Sequence, residues 1–149
     1  MSTPGSQERT ARAEQARIRQ EMAQAQARRE AGRAQKLIDA FVAQAQARGL
    51  EPQPLRARLL GGGTAKTDKS GWYIKVDRSL AIGTDAGYYV LKVPGGWRQR
   101  IGGVRLQPSQ PSLTVGRGGR DGETGELAWF LDAALNRHPK TPGVWQGTP

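Results

Sequence analysis

The sequence predicts an α+β fold, a small antiparallel sheet of about five strands packed with an N-terminal and a C-terminal helix. Three patterns predict it. Residues 34–45 carry an apolar stripe with helical spacing, residues 71–93 alternate large apolar and polar side chains, and residues 124–137 carry a second helical stripe. Spacings of three and four place side chains on one face of a helix, whereas alternation places them on opposite faces of a strand.

Residues 8–48 predict one long helix with two unlike parts. Good helix formers fill the first part, which has no apolar stripe. The composition of the whole helix is coiled-coil-like, but its two AQAQAR segments, at residues 23–28 and 43–48, are spaced by an interval that does not fit a heptad register. Gly49 is placed to end the helix. The second part should dock on the sheet through a stripe that consists of Leu37, Ile38, Phe41, Val42 and Ala45.

Short strands follow this helix. A first strand at residues 55–60 precedes a flexible loop at residues 61–71 and the meander at residues 71–93, whose turns fall at residues 77–78 and 84–87. One face of the meander should be buried and the other wet. Trp97 and Ile101 predict one helical turn, and residues 104–106 and 113–115 predict two further strands.

The last helix is expected between Thr124, a suitable N-cap, and Arg137, just before Pro139. Trp129 lies off its apolar stripe and should be exposed. The stripe consists of Leu127, Phe130, Leu131, Ala134 and Leu135.

These predicted elements divide the chain into three segments. Residues 1–33 have only three large apolar side chains and predict a polar helical arm, partly disordered. Residues 34–139 predict a compact domain, and residues 140–149 predict a flexible tail. The chain has no cysteine, no apolar segment typical of a signal peptide and no run long enough to span a membrane. We therefore expect a cytoplasmic protein.

The net charge of +10 has two interpretations. Such a charge attracts nucleic acid, anionic lipid and acidic proteins. A charge of this size is also typical of arginine-rich surfaces encoded by GC-rich genomes. In that case the charge reflects composition and does not indicate a binding partner.

Catalytic chemistry is not indicated by any group of residues. His138, the only histidine, precedes Pro139 at a helix end, and Asp77 and Asp85 lie in predicted turns. We therefore predict no catalytic residue, no cofactor site, no metal site and no enzyme activity.

Two glycine-rich segments invite comparison with phosphate-binding loops. Residues 61–67 lack the Gly-Lys-Ser/Thr of a P-loop, so we predict an ordinary loop there. Residues 116–126 stand between a strand and a helix, where Arg117 and Arg120 suit an anion loop. The alternative is that Asp121, Glu123 and Glu126 satisfy the helix start internally.

A basic aromatic sheet face is the candidate interaction site. In the meander, the side chains that alternate with the main apolar residues would lie together on this face, and three arginines follow them in the sequence. The alternative is that the tyrosines pack against the N-terminal helix and the charges form a solvated rim. The candidate face consists of Tyr73, Lys75, Tyr88, Lys92, Arg98, Arg100 and Arg105.

The segments GWYIKVDRSLAIGTDAGYYVLKVPGG and GGRDGE resemble small uncharacterised actinobacterial proteins with a charged N-terminal helix. The resemblance covers residues 35–137 and implies a compact domain, but it carries no activity. We therefore expect a non-enzymatic basic module that binds a macromolecular partner, another protein rather than nucleic acid. Nonspecific nucleic-acid binding through the basic aromatic face is the alternative, and an enzyme with an unseen cofactor is the third hypothesis.

Overall fold

A computed structural model describes residues 4–116 and 125–137. The fold is α+β, as the sequence predicts. Its elements are, in chain order, α1 (Pro4–Ala47), β1 (Gln53–Leu59), β2 (Thr64–Tyr73), β3 (Leu80–Gly83), β4 (Tyr88–Val90), β5 (Lys92–Val93), α2 (Trp97–Gly102), β6 (Thr114–Val115), β7 (Gly125–Glu126) and α3 (Leu127–Arg137).

Five strands form one sheet in the order β4-β3-β2-β1-β5. The prediction of a wholly antiparallel sheet is wrong at one pair, because β5 runs parallel to β1. Leu91 alone separates β4 from β5, although these strands lie at opposite edges. Its N–H donates to the carbonyl of Ser79, and its carbonyl accepts from the N–H of Arg58 at 2.6 Å. The segment from β4 to β5 therefore closes the sheet into a small barrel.

Closure encloses the inner face of the sheet, and helices cover part of its outer face. The outer face packs Trp72, Ile74 and Ile82 against α1 and α3. The inner face packs Tyr73, Tyr89 and their neighbours into a second cluster, which also contains Leu55, Ala81, Leu91 and Leu106. The prediction of one wet face along the meander is therefore wrong, because that face forms the interior of the barrel.

The docked part of α1 joins the barrel through its predicted stripe. Ile38, Phe41 and Val42 are buried, and the rings of Phe41 and Trp72 meet edge to face at 5.8 Å. The helix ends at Gly49, which has a φ of 69° and donates to the carbonyl of Gln46. Gly49 therefore ends the helix as predicted, in a Schellman arrangement.

Contacts between α1 and the domain begin at Glu30. Its carboxylate accepts from the hydroxyl of Ser112 at 2.6 Å and from the N–H of Leu113 at 3.1 Å. Before this residue the helix lies in solvent, with Ile18 and Met22 both exposed. The polar arm is thus a continuous extension of a docked helix, and most of its side chains are exposed.

Two predictions about strands are wrong, each for its own reason. Residues 61–71 were expected as a loop, but most of them belong to β2, whose exposed face is almost entirely polar. Residues 104–106 were expected as a strand, but they attach by single bonds to Lys66 and Asp68. Hydrophobic alternation does not reveal a polar strand such as β2, which is held by pairing rather than by burial. Residues 104–106 do alternate, but they form only an isolated bridge, between Val104 and Thr67.

The C-terminal elements cover the outer face. Residues 114–115 form a strand, as predicted, and pair with β7. The stripe of α3 is buried throughout and Trp129 is 65% exposed, which confirms both expectations for this helix. The predicted N-cap Thr124 lies outside the described residues, as do His138 and the predicted tail.

Candidate functional site

The predicted basic aromatic face does not exist as one exposed surface. Tyr73, Lys75 and Tyr88 are all buried, and the two tyrosines lie on opposite faces of the sheet. The pairing explains this: Trp72 lies opposite Ile82 and Ile82 opposite Tyr88, so Tyr88 shares its face with Trp72 and not with Tyr73. The turns between the strands set this register, which alternation within each strand does not specify.

Three of the predicted residues nevertheless meet at one small cavity. Lys75, Tyr88 and Lys92 line it together with Ser79 and apolar neighbours, and its volume is about 150 Å³. Lys75 is 2% exposed and Tyr88 is 8% exposed, whereas Lys92 lies at the surface. The cavity therefore combines buried and accessible polar groups.

Asp77 is the carboxylate beside this cavity. Its Oδ1 accepts from the N–H of Ser79 at 3.0 Å and from the hydroxyl at 2.6 Å. Partial burial alone would raise the pKa of Asp77, but these bonds and the charges of Lys75 and Lys92 lower it below its ordinary value. Burial raises the pKa of Tyr88, so its phenol stays protonated and is a hydrogen-bond donor at neutral pH.

A row of cations occupies the exposed outer side of β1, β2 and β5. Arg56 lies directly opposite Lys66, and Arg58 lies beside Lys92. Within residues 4–116 and 125–137, none of these four cations forms an ion pair with a carboxylate. Like charges directly opposite each other destabilise a sheet. We call Arg56, Arg58, Lys66 and Lys92 the basic strand face.

Helix α2 presents an apolar surface to solvent. It buries none of its side chains, and its two large apolar residues, Trp97 and Ile101, are 67% and 81% exposed. The guanidinium of Arg98 lies 5.7 Å from the ring centre of Trp97.

The turn between β1 and β2 supports this helix. Leu60 and Gly61 donate to the carbonyls of Val93 and Gly95, just before α2. Gly63 has a φ of 82°, a backbone conformation that favours glycine, and the side chain of Arg100 lies against this turn. Leu60 is itself exposed. We call Leu60, Trp97, Arg98, Arg100 and Ile101 the α2 patch.

The remaining cations that the sequence analysis singled out belong to neither the basic strand face nor the α2 patch. Arg105 is exposed and lies close enough to Asp68 to lower the pKa of that carboxyl, whose largest influence is the hydrogen bond from Leu106. Arg117 and Arg120, the predicted anion loop, lie outside the described residues.

Of the nine residues in the basic strand face and the α2 patch, the predicted candidate face contained only Lys92, Arg98 and Arg100. Arg56 and Arg58 alternate with apolar residues in the predicted first strand, but Lys66 fell in a predicted loop, so their pairing was hidden. Trp97 and Ile101 were recognised as a helical turn, and the spacing gave no sign that both would remain exposed.

Among the described residues, no group of acidic or histidine side chains could hold a metal ion. Nor does any helix in that part of the chain have the length and hydropathy to cross a membrane. No protein-family model, no curated protein and no solved structure matches the chain. The surface features that could serve a function are therefore the α2 patch, the basic strand face and the cavity.

Proposed function

We propose that this chain is a non-enzymatic basic interaction module that binds another protein through the α2 patch. One observation carries the proposal: a helix that buries no side chain exposes a tryptophan and an isoleucine, four residues apart, to water. Exposed apolar surface contributes about 25 cal/mol per Å² when a partner removes it from water. The lack of cysteine suits a reducing compartment, and we propose that the module acts in the cytoplasm.

The chemistry of the patch specifies the partner. Tryptophan and arginine are the residues that most often dominate binding energy at protein interfaces. Arg98 and Arg100 lie between Trp97 and Ile101 in the sequence and have no carboxylate partner among the described residues. The complementary surface is an apolar pocket for Trp97 and Ile101, edged by aspartate or glutamate.

A capture experiment tests this proposal. The full chain is immobilised and exposed to native lysate with and without nuclease, beside the double variant Trp97→Ala, Ile101→Ala. We expect a protein retained by the wild type after nuclease treatment and lost by the double variant. Trp129→Ala is the matched control, because Trp129 is 65% exposed but lies on α3. Equal retention by all three chains would contradict the proposal.

Nonspecific nucleic-acid binding is the second candidate, and the basic strand face favours it. Cross-strand like charges lower stability, and a phosphate backbone laid across Arg56, Arg58, Lys66 and Lys92 would relieve their repulsion. Between residues 56 and 105 the chain has ten lysines and arginines against three aspartates.

A salt titration tests this second candidate. Binding of random single-stranded DNA and RNA should weaken steeply with salt, because phosphate contacts release counterions. Arg56→Gln with Lys66→Gln should flatten the dependence of log affinity on log salt by about one unit or more. The same pair of changes should leave capture through the α2 patch unaltered. Salt-independent binding, or a slope that the double variant does not change, would remove nucleic acid from consideration.

A further inference from the structure

A groove between α1 and α3 presents apolar side chains at the surface of the domain. Phe41, Leu131 and Leu135 line it and are themselves buried, whereas Ala40 and Ala128 line it and are exposed. The small side chains of the two alanines leave a depression over the buried ones. We call this depression the α1–α3 groove.

The volume of the groove selects the kind of group that it admits. It is about 160 Å³, well below the range of about 300–1,000 Å³ that is typical of sites for drug-sized molecules. An apolar cavity of about 150 Å³ is large enough for benzene. The groove therefore suits one aromatic side chain, and Trp97 on α2 is 67% exposed.

The charge at the groove is opposite to that of the α2 patch. Asp132 lines the groove and is exposed. It forms no ion pair with a lysine or arginine of residues 4–116 and 125–137, and its Oδ2 accepts a long hydrogen bond of 3.5 Å from Asn136. Arg98 and Arg100 are the cations of the α2 patch. An indole that enters the groove from this patch would bring its arginines towards the carboxylate.

Charge also disfavours the two simplest alternatives. If two α2 patches packed against each other, Arg98 and Arg100 of both copies would lie together and repel one another. Trp129, which is 65% exposed, is three residues from both Glu126 and Asp132. If Trp129 entered the groove of another copy, it would bring carboxylates towards a carboxylate.

We infer that the α2 patch of one copy of this chain docks into the α1–α3 groove of a second copy. The inference rests on the proposed function and names the partner, an apolar pocket edged by an acidic residue. Because Trp97 is exposed in its own chain, the ring that fills the groove comes from another molecule. Patch and groove are different surfaces, so each copy uses one of each, and such head-to-tail contacts build a closed ring or an open filament.

Sedimentation velocity of the full chain over a range of concentrations tests this inference. The mean mass of the wild type should rise with concentration. The double variant Trp97→Ala, Ile101→Ala lacks the patch and should stay monomeric, as should Ala40→Lys, which places a long cation in the groove. Ala43→Lys is the matched control, because Ala43 is exposed on the same helix but does not line the groove. It should associate as the wild type does, and equal loss in both lysine variants would overturn the inference.

A mixture of the two non-associating variants gives the sharpest result. The patch variant retains an intact groove, and Ala40→Lys retains an intact patch. Together they should form a dimer of one copy of each and nothing larger, because the second interface of that dimer is defective on both sides. Two outcomes would overturn the inference: a mixture that stays monomeric, and an Ala40→Lys chain that dimerises alone through its patch.

The carboxylate is tested separately. Asp132→Asn should weaken the association by about two- to fivefold, the range expected for one exposed ion pair, and should make it less sensitive to salt. If affinity and salt dependence both stayed unchanged, the charge argument for a second copy as the partner would fail.

The chain's own C-terminal residues are the competing occupant of the groove. Residues 138–149 follow α3 and contain one tryptophan, Trp145. Trp145→Ala in the full chain should leave the association within twofold of the wild type. Association that is much stronger in this variant would show that Trp145 competes for the groove, and it would overturn the inference.

Failure of this inference can be told apart from failure of the proposed function. If the wild type stays monomeric at every concentration, yet retains a different protein from lysate that the variant Trp97→Ala, Ile101→Ala loses, only the choice of partner is wrong. If neither self-association nor capture depends on these two residues, both proposals are overturned.

Discussion

Helices α2 and α3 carry the same kind of apolar pattern and bury it to opposite degrees. In α3 the stripe that includes Leu127, Leu131 and Leu135 is buried against α1 and the barrel. In α2, Trp97 and Ile101 stand four residues apart, as Leu127 and Leu131 do, yet both lie in water. A periodic pattern therefore shows which side chains share a face, but whether the fold itself covers that face depends on the neighbouring elements. The uncovered face of α2 is the basis of the proposed function.

Leu131→Ala should give the largest effect. Leu131 is buried between α1 and the barrel, so its truncation loses transfer free energy and leaves a cavity. We expect the free energy of unfolding to fall by about 2–5 kcal/mol in urea titrations. Trp129→Ala on the exposed side of the same helix is the control and should change it little. If the free energy of unfolding of Leu131→Ala were close to that of the wild type, α3 would be no better packed against the domain than α2.

Alkaline pH should weaken the core without involving α2. Burial raises the pKa of Tyr88, and burial together with the hydrogen bond to Asp85 raises that of Tyr89. The folded chain therefore holds these protons more tightly than the unfolded chain. The stabilisation that both phenols contribute is fully present below about pH 10, the ordinary pKa of tyrosine. It is lost as the pH rises through their pKa values in the folded chain, by up to about 1.4 kcal/mol per pH unit for each group.

Thermal unfolding between about pH 8 and pH 12, with tyrosinate absorbance recorded in parallel, measures this loss. The double variant Trp97→Ala, Ile101→Ala should show the same pH profile, because α2 contains no tyrosine. A Tm that is constant to the top of this range would contradict the burial of the two phenols.

Ile101→Ala should change stability by less than about 0.5 kcal/mol, the usual range for a surface substitution. The side chain is 81% exposed, so little burial is lost when it is removed. Urea unfolding of this variant beside Leu131→Ala compares the two helices directly. A loss above about 1.5 kcal/mol, beyond that surface range, would show that α2 is part of the core.

Deletion of residues 1–29 should have the smallest effect of all. This part of α1 precedes Glu30, where contacts with the domain begin, and its two ion pairs are exposed and local. Surface pairs of this kind contribute about 0–1 kcal/mol and many contribute nothing. Tm should therefore stay within a few degrees of the full chain. Trypsin digestion offers a second readout, since Arg12, Arg17 and Arg19 should be cleaved well before the core.

The sequence predicts most of the fold and little of the site. The stripes of α1 and α3 are read from their spacing because burial on one face requires it. The closure of the barrel cannot be read from spacing, because it depends on the hydrogen bonds of Leu91 with Arg58 in β1 and with Ser79 just before β3, and no local pattern encodes them. The same closure buries Tyr73, and the strand register places Tyr88 on the other face, so the predicted aromatic surface does not form. Lys75, Tyr88 and Lys92 do meet, but around a cavity rather than on an open face.

The central claim is that Trp97 and Ile101 serve a partner rather than the fold. The most direct test is the affinity of the captured, purified partner for four forms of the full chain: wild type, Trp97→Ala, Ile101→Ala and Trp129→Ala. We predict losses of about tenfold or more for each α2 variant, as for interface anchors that contribute more than about 1.4 kcal/mol. Trp129→Ala should bind within twofold of the wild type. Equal affinity for Trp97→Ala and Trp129→Ala would contradict the account, because exposure alone would then explain both tryptophans.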